Sequence, residues 1–145
     1  MSKPTLTAVT LGVRDVPASA RFYEALGFTR KFRATGDDIA FFEAGGVALV
    51  VWDWKQLAED AAEDDEPRPK TFRGTTLAWN CTSPAEVDAA LAKALAAGAR
   101  LLRKAGRTDY GGYRGYFADP DGHCWEVVRA PGLELTDDGR LILPD

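Results

Sequence analysis

The sequence has one histidine and two cysteines, so it offers few of the side chains that most protein metal sites use. It contains no Cys-x-x-Cys pair, and we therefore do not expect a structural zinc site of the common tetrahedral kind. Cys81 and Cys124 are enough for one disulfide at most. We expect both to be free thiols, because nothing in the sequence indicates export.

Long apolar runs and an excess of positive charge are absent as well. No run approaches the roughly 20 apolar residues that a membrane span needs, and the first residues lack the apolar core of a signal peptide. The formal net charge of -4 argues against a nucleic-acid or anionic membrane partner. We therefore expect a cytoplasmic protein that binds neither nucleic acids nor membranes.

What the sequence does contain is one order of predicted elements, strand, helix, strand, strand, strand, that occurs twice. In the first half, the apolar pattern predicts a helix between Asp15 and Gly27, with strands within residues 5–14, 28–32, 39–43 and 47–52. In the second half, a capping box at Ser83–Glu86 begins a helix, with strands within residues 74–82, 99–104, 112–118 and 123–128.

The length of 145 residues suits a single domain that contains both halves. We expect module 1 over about residues 4–60, a connector over 61–72, module 2 over about 73–130 and a tail over 131–145. Aligning the helix starts and the last hairpins of the two halves gives one register, since a slip of one residue would turn the apolar side chains outwards. The equivalent positions are then Ala8 and Thr76, Phe41 and Tyr116, and Val50 and Glu126.

The last predicted hairpin places a carboxylate, Glu126, inside an apolar strand. Asp119-Pro-Asp-Gly122 is typical of a tight turn, and strand alternation then separates Glu126 and Cys124 from His123. A carboxylate in this setting costs free energy unless it has a partner or a function. Glu126 is either held by a hydrogen bond to a neighbouring strand or subunit, or is the polar anchor for a ligand. We expect His123 and Cys124 to be structural.

Four segments resemble the vicinal oxygen chelate superfamily, which includes glyoxalase I, extradiol dioxygenases, fosfomycin-modifying enzymes and bleomycin-resistance proteins. They are Leu11-Gly-Val-Arg-Asp-Val16, Arg21-Phe-Tyr-Glu-Ala-Leu-Gly-Phe28, Ser83-Pro84 and Phe117-Ala-Asp-Pro-Asp-Gly-His-Cys-Trp-Glu126. The resemblance covers roughly residues 5–130. It implies an α+β fold in which two paired βαβββ modules form an open cup-shaped sheet with the helices outside, often completed by a second subunit. We therefore expect a homodimer.

Metal-dependent members of this superfamily place histidine or glutamate ligands at four equivalent positions. The resemblance puts these positions at Ala8, Val50, Thr76 and Glu126, and of these side chains only Glu126 is a suitable ligand. Cys124 faces the same way, but two donors are too few for a divalent site of this kind. We expect no metal and no other cofactor, and a divalent metal only if the chain is an enzyme with further donors elsewhere.

Our first hypothesis is a binding protein of the bleomycin-resistance type, without the superfamily's metal site. Its cup would hold a small aromatic or amphipathic molecule, such as an antibiotic or a secondary metabolite. Trp52, with Tyr113 or Phe117, would stack on the molecule, Asn80 and Thr10 would orient its polar groups, and Glu126 would meet a donor or a cation.

Two alternatives have the same fold. One is a lyase, isomerase or dioxygenase with an atypical or metal-independent site, in which Glu126 is the general base. The other is a structural or regulatory homodimer whose cup is filled by its own side chains. Tyr110, Tyr113 and Tyr116 lie beside glycines, which predicts either a mobile rim over a ligand or tyrosines packed at a subunit interface.

Overall fold

The computed structural model describes residues 3–145. Within them the chain divides into two compact units, one ending at Arg68 and the other spanning Pro69–Asp145. This boundary falls inside the connector predicted over residues 61–72. Each unit contains one βαβββ module, so the repeat predicted from the sequence is present in the fold.

The first unit is a four-stranded sheet whose first two strands are joined by a helix. In chain order it contains β1 (Ala8–Val13), α1 (Val16–Leu26), β2 (Thr29–Lys31), β3 (Ile39–Glu43), β4 (Ala48–Asp53) and α2 (Trp54–Asp60). A short 3₁₀ turn over residues 33–35 lies between β2 and β3. The strand order is β1-β4-β3-β2, with β1 parallel to β4 and the other neighbours antiparallel.

Helix α1 is set by its caps and by its apolar stripe. The Asp15 carboxylate accepts a hydrogen bond from the backbone N–H of Ala18 at 3.0 Å, and Gly27 ends the helix in the left-handed conformation with φ of 106°. Tyr23 is fully buried, and its ring lies 6.1 Å from that of Phe42 on β3. Because side chains alternate along a strand, the neighbours of Phe42 in β3 point to the other face of the sheet.

The second unit has the same construction and adds a hairpin at its end. It contains β5 (Thr76–Asn80), α3 (Pro84–Ala96), β6 (Arg100–Arg107), β7 (Tyr113–Ala118) and β8 (Cys124–Arg129), followed by β9 (Glu134–Leu135) and β10 (Leu141–Ile142). The strand order in its main sheet is β5-β8-β7-β6, which matches the first unit. Both four-stranded sheets are open, with β1 and β2 at the edges of one and β5 and β6 at the edges of the other.

Helix α3 begins at the predicted capping box. Ser83 Oγ accepts a hydrogen bond from the Glu86 N–H at 3.2 Å, and Glu86 Oε2 accepts one from the Thr82 N–H at 2.7 Å. The glutamate therefore reaches one residue further back than the usual box predicts. This 13-residue helix is the longest that the structure describes, and no helix among residues 3–145 is long and apolar enough to cross a membrane.

Pairing in both sheets follows the register predicted from the repeat. Phe41 pairs with Val50 in the first sheet, and Tyr116 pairs with Glu126 in the second. Val50 and Glu126 each have a second partner, on the parallel neighbouring strand. Thr10 of β1 pairs with Val50, and Ala78 of β5 pairs with Glu126. The α+β fold with two βαβββ modules is therefore confirmed, together with the equivalence of Val50 and Glu126.

Gly115 lies where β7 packs against α3. A substitution at this position therefore tests the packing of the second unit. A Cβ at this position would lie 2.5 Å from Leu91 Cδ1 and 3.0 Å from the Arg103 carbonyl oxygen. We expect Gly115→Ala to lower the free energy of unfolding by about 1–3 kcal/mol, because an added methyl group overpacks a closed space. Urea denaturation of purified variants measures this difference.

Gly106→Ala is the matched control, because Gly106 lies on the neighbouring strand with no atom within 4 Å of its added Cβ. Its effect on the unfolding free energy is expected to stay within about 0.5 kcal/mol. Equal stabilities for Gly115→Ala and the unmodified protein would show that α3 and β7 are not packed as closely as described.

Candidate ligand-binding site

The sheet of the second unit has one surface covered by α3 and one that faces away from it. Phe117 and Trp125 lie on the α3 side, where their rings stack with centroids 6.0 Å apart, so the residues that alternate with them lie on the other side. We call this other surface the Glu126 face. Pairing across the four strands gives its members as Thr76, Ala78, Asn80, Arg100, Arg103, Gly106, Arg114, Tyr116, Ala118, Cys124, Glu126 and Val128.

Tyr116 and Glu126 form the central polar contact of the Glu126 face. They are paired across β7 and β8, and the Tyr116 hydroxyl donates a hydrogen bond to Glu126 Oε2 at 2.9 Å. Both side chains are half-buried. Glu126 takes no other hydrogen bond or ion pair within residues 3–145, so its second carboxylate oxygen is available to a ligand. The expected bond from a neighbouring strand is present, and the ligand-anchor role of Glu126 stays a prediction.

The environment of Tyr116 favours its protonated form. Partial burial, which disfavours the phenolate, raises the pKa of Tyr116 above its ordinary value. The hydrogen bond to Glu126 and the negative charge of that carboxylate raise this pKa further, whereas the nearby Arg114 guanidinium lowers it. Tyr116 is therefore the hydrogen-bond donor of the pair and Glu126 is the acceptor.

Of the six residues predicted to bind a ligand, Asn80 and Glu126 lie on the Glu126 face. Asn80 is half-buried on β5, beside Val128 of β8. Tyr113 and Phe117 lie on the opposite surface, and the placement we predicted for them is wrong. The Tyr113 hydroxyl donates to Asp88 Oδ1 of α3 at 2.7 Å, and Phe117 is fully buried. Strand alternation explains this correction, because odd-numbered residues of β7 all point towards α3.

Thr10 and Trp52 belong to the first unit, on the surface of its sheet that faces away from α1. Thr10 is exposed and pairs with Val50, while Trp52 is half-buried and its Nε1 donates to Gln56 Oε1 at 3.0 Å. Phe41 lies on the same surface, opposite Val50. The first module therefore has an aromatic and mostly apolar surface, and the binding of a ligand by Thr10 and Trp52 stays a prediction.

Tyr116 and Arg114 are residues of the Glu126 face that sequence reasoning did not select for ligand binding. The register of the repeat already indicated Tyr116, because it makes Tyr116 the equivalent of Phe41 and Glu126 the equivalent of Val50. Two residues towards the N-terminus, Arg114 then had to share the face of Tyr116.

His123 contacts Arg73, which precedes β5 in the chain. Arg73 Nη1 lies 3.1 Å from His123 Nδ1, and Arg73 Nη2 donates to the Asp121 carbonyl oxygen at 2.9 Å. Because arginine only donates, His123 Nδ1 is the acceptor. Asp119 Oδ1 accepts the N–H groups of Asp121 and His123, as expected for the predicted turn. These contacts agree with a structural role for the histidine.

Neither cysteine is in a setting that favours nucleophilic chemistry. Both are free thiols in the structure. Burial, with a smaller effect of the Glu86 charge, raises the pKa of the Cys81 thiol to about 11, so little thiolate forms near neutral pH. Cys124 Sγ donates to the Gly122 carbonyl oxygen at 3.9 Å, within the hairpin that carries it. The expected structural role of Cys124 agrees with this contact.

The side chains at the superfamily's metal positions do not fit a divalent metal site. In the first unit, Ala8 and Val50 have no donor atom. In the second unit, Thr76 lies on β5 opposite Cys124, two pairs along from Ala78 and Glu126. No group of three or more His, Cys, Asp or Glu side chains in the described part of the chain is placed to hold a metal ion.

Comparison with known families gives one match that covers most of the chain. Residues 5–127 match the family described as the Glyoxalase/Bleomycin resistance protein/Dioxygenase superfamily. No curated protein matches the chain.

Solved structures with the same fold include proteins described as enzymes. A glyoxalase-related enzyme from Fulvimarina pelagi is 37% identical, with a TM-score of 0.86 and coverage of 97% of this chain and 99% of that one. A glyoxalase/bleomycin resistance protein/dioxygenase from Nocardioides is 30% identical, with a TM-score of 0.72 and coverage of 91% and 87%. A lactoylglutathione lyase from Agrobacterium tumefaciens, at 21% identity, 89% and 96% coverage and a TM-score of 0.65, shows likeness of fold alone.

The contact between Tyr116 and Glu126 predicts how the tyrosine titrates. In Glu126→Gln we expect the pKa of Tyr116 to fall, because the neighbouring charge is lost and the hydrogen bond is weakened. It should stay above its ordinary value of 10.0, because the partial burial remains. NMR titration of tyrosines labelled with carbon-13 at Cζ, with Tyr116 assigned from Tyr116→Phe, measures both shifts.

Asp88→Asn is the control for this titration. The hydrogen bond to Asp88 is the main cause that raises the pKa of Tyr113, so this variant should lower the pKa of Tyr113 and leave that of Tyr116 unchanged. A Tyr116 pKa that does not respond to Glu126→Gln would contradict the described contact.

Proposed function

Because the chain belongs to the glyoxalase, bleomycin-resistance and dioxygenase superfamily, we propose that it binds a small aromatic or amphipathic molecule on the Glu126 face, without a metal. The observation that carries this proposal is the Tyr116–Glu126 hydrogen bond on a sheet surface that α3 leaves uncovered. A half-buried carboxylate that has one oxygen in a hydrogen bond and the other available can orient a small ligand.

Three polar residues of the Glu126 face have distinct roles in this proposal. Glu126 accepts a hydrogen bond from a ligand donor or pairs with a ligand cation. The Tyr116 ring offers an aromatic surface, and its hydroxyl holds Glu126 in place. The Asn80 side-chain amide, which can both donate and accept, orients a further polar group.

Trp52 and Thr10 of the first module belong to the same proposal as aromatic and hydroxyl contacts to a ligand. The hydrogen bond from Trp52 Nε1 to Gln56 fixes the orientation of the indole ring. A ring held in one orientation loses less conformational entropy when a ligand stacks on it. We propose, as the superfamily resemblance implies, that the chain acts as a homodimer. We also propose that it is cytoplasmic. Sedimentation analysis tests the dimer.

A thermal-shift screen of aromatic and amphipathic small molecules, followed by calorimetric titration, tests the binding function. A ligand at about 100 times its Kd should stabilise the protein by about 2.7 kcal/mol. Glu126→Gln and Trp52→Ala should each weaken binding by about 1 kcal/mol or more, through the lost charge and the lost ring surface. The compound should be recovered unchanged after prolonged incubation.

Two control variants separate the effect of charge on affinity from the effect of the aromatic ring. Glu59→Gln removes the same charge from the exposed side of α2 and should leave affinity unchanged, while Trp52→Phe should retain most of the binding lost in Trp52→Ala. If Glu126→Gln and Trp52→Ala both leave the affinity intact, the proposed site is wrong. Stoichiometric divalent metal in protein purified without chelators would overturn the metal-free part of the proposal.

A second candidate function is catalysis by Glu126, as a lyase, an isomerase or a dioxygenase. The specific observation in its favour is that a phenol donor lies 2.9 Å from the carboxylate, which makes an acid–base pair within hydrogen-bond distance. The 37% identical protein from Fulvimarina pelagi is also described as a glyoxalase-related enzyme. In this function Glu126 removes a proton from the bound substrate, and Tyr116 holds the carboxylate in position.

Mass spectrometry of every ligand that the screen identifies decides between binding and catalysis. If Glu126 is a general base, ligand should be converted to product, and Glu126→Gln should lower kcat by a factor of about 10² to 10⁴. Tyr116→Phe should lower kcat less, because it removes the positioning bond and keeps the base. Recovery of every bound ligand unchanged would argue against this second function.

A further inference from the structure

Arg114 is the half-buried arginine of the Glu126 face, and no contact within residues 3–145 pairs it with an anion. Building on the proposed function, we propose that Arg114 binds the acidic group of the ligand, so that this ligand is a small organic acid with an aromatic or amphipathic body. Arg114 would then be the residue that selects acids over neutral molecules of the same shape.

The position of Arg114 follows from the pairing of β7. It lies two residues before Tyr116, opposite Val128 of β8 and Gly106 of β6. The Arg114 guanidinium lowers the pKa of Tyr116, which agrees with this placement on the same face, two residues along the strand. Arg114 and the available oxygen of Glu126 are therefore both within reach of one small molecule.

Arg114 is half-buried and has no anionic partner in the described part of the chain. It forms no ion pair and donates no side-chain hydrogen bond to any of residues 3–145, Glu126 included. The guanidinium group has five N–H donors arranged to bind a carboxylate or a phosphate through two parallel hydrogen bonds. A partly desolvated cation with all of its donors available is suited to an anionic ligand.

The space beside Arg114 is open on the side of β6. The residue opposite it there is Gly106, and a Cβ added to Gly106 would meet no atom within 4 Å. Any larger side chain at this position would stand next to the guanidinium on the same face. The glycine therefore leaves room for an acidic group at Arg114.

The charge of the surrounding face also favours an anion. Arg103 pairs with Tyr116 and Arg100 pairs with Ala118, so the face has three arginines and a single carboxylate, Glu126. Cations on an edge strand have a simpler role, since they prevent edge-to-edge association of sheets. That role accounts for the arginines of β6 but not for Arg114, because β7 is paired on both sides.

Glu126 and Arg114 together define the polarity of the ligand. The carboxylate repels an acidic group and attracts a donor, whereas the guanidinium does the opposite. A bound acid should place its anionic end at Arg114 and a hydroxyl, amine or amide N–H at Glu126. A neutral aromatic molecule would leave the guanidinium without a partner.

Matched pairs of an aromatic acid and its neutral amide test this inference. We would use benzoate with benzamide, 2-naphthoate with 2-naphthamide, and indole-3-acetate with indole-3-acetamide, with affinity measured by calorimetric titration. Each acid that binds should do so about tenfold or more tightly than its amide, since a charge-assisted bond is lost in the amide. The preference should shrink between ionic strengths of about 0.1 M and about 1 M.

Variants at Arg114 give the decisive comparison. Arg114→Gln should abolish the preference for the acid, and Arg114→Lys should retain part of it, because a lysine keeps the charge but loses the two-pronged geometry. Arg107→Gln is the matched control: it removes the same charge from β6, at a position that pairs with Tyr113 on the α3 side. Arg107→Gln should leave the preference unchanged. Folding of Arg114→Gln is checked by a higher pKa of Tyr116 in the same NMR titration.

The outcomes separate this inference from the function on which it rests. Equal binding of acids and amides, or an acid preference that survives in Arg114→Gln, would overturn the role of Arg114 and leave the binding function standing. Equal loss in Arg107→Gln would show a general effect of charge and would also overturn it. If the unmodified protein binds neither acids nor amides, this inference and the binding of aromatic molecules both fail.

Discussion

The position of β8 between β5 and β7 is the constraint on which the rest of the second module depends. Its residues Trp125 and Val127 are buried on the α3 side of the sheet, where Trp125 stacks on Phe117. Because side chains alternate along a strand, burial of those residues places Glu126 on the opposite face, next to Tyr116. The apolar packing on one side of the sheet therefore sets the polar chemistry on the other.

The two modules have different side chains at equivalent positions. The two sheets have the same strand order and register, so each position in one has a counterpart in the other. Where the second module has Tyr116 paired with Glu126, the first has Phe41 paired with Val50. By the same register, Ile39 is the counterpart of Arg114. The polar groups of the Glu126 face are thus replaced by apolar ones of similar size on the same backbone.

The superfamily fold and the superfamily chemistry are separable in this chain. The fold requires apolar strand faces, helix caps and a tight turn, and all of these are present. Divalent metal chemistry requires several donors that converge on one point, and Ala8 and Val50 supply none. Glu126 remains, held by a phenol and accompanied by an arginine, which is an arrangement suited to recognising a polar organic molecule.

The sequence by itself determined the elements, their repeat and the equivalence of Glu126 with Val50, because strand alternation and helix capping are local and their periods can be read from the chain. It also indicated structural roles for His123 and Cys124. Only the tertiary structure decided that the Tyr113 hydroxyl binds Asp88, and that Arg114 forms no ion pair within residues 3–145. Those facts depend on which distant side chains come within hydrogen-bond distance, and the period of a single strand contains no such information.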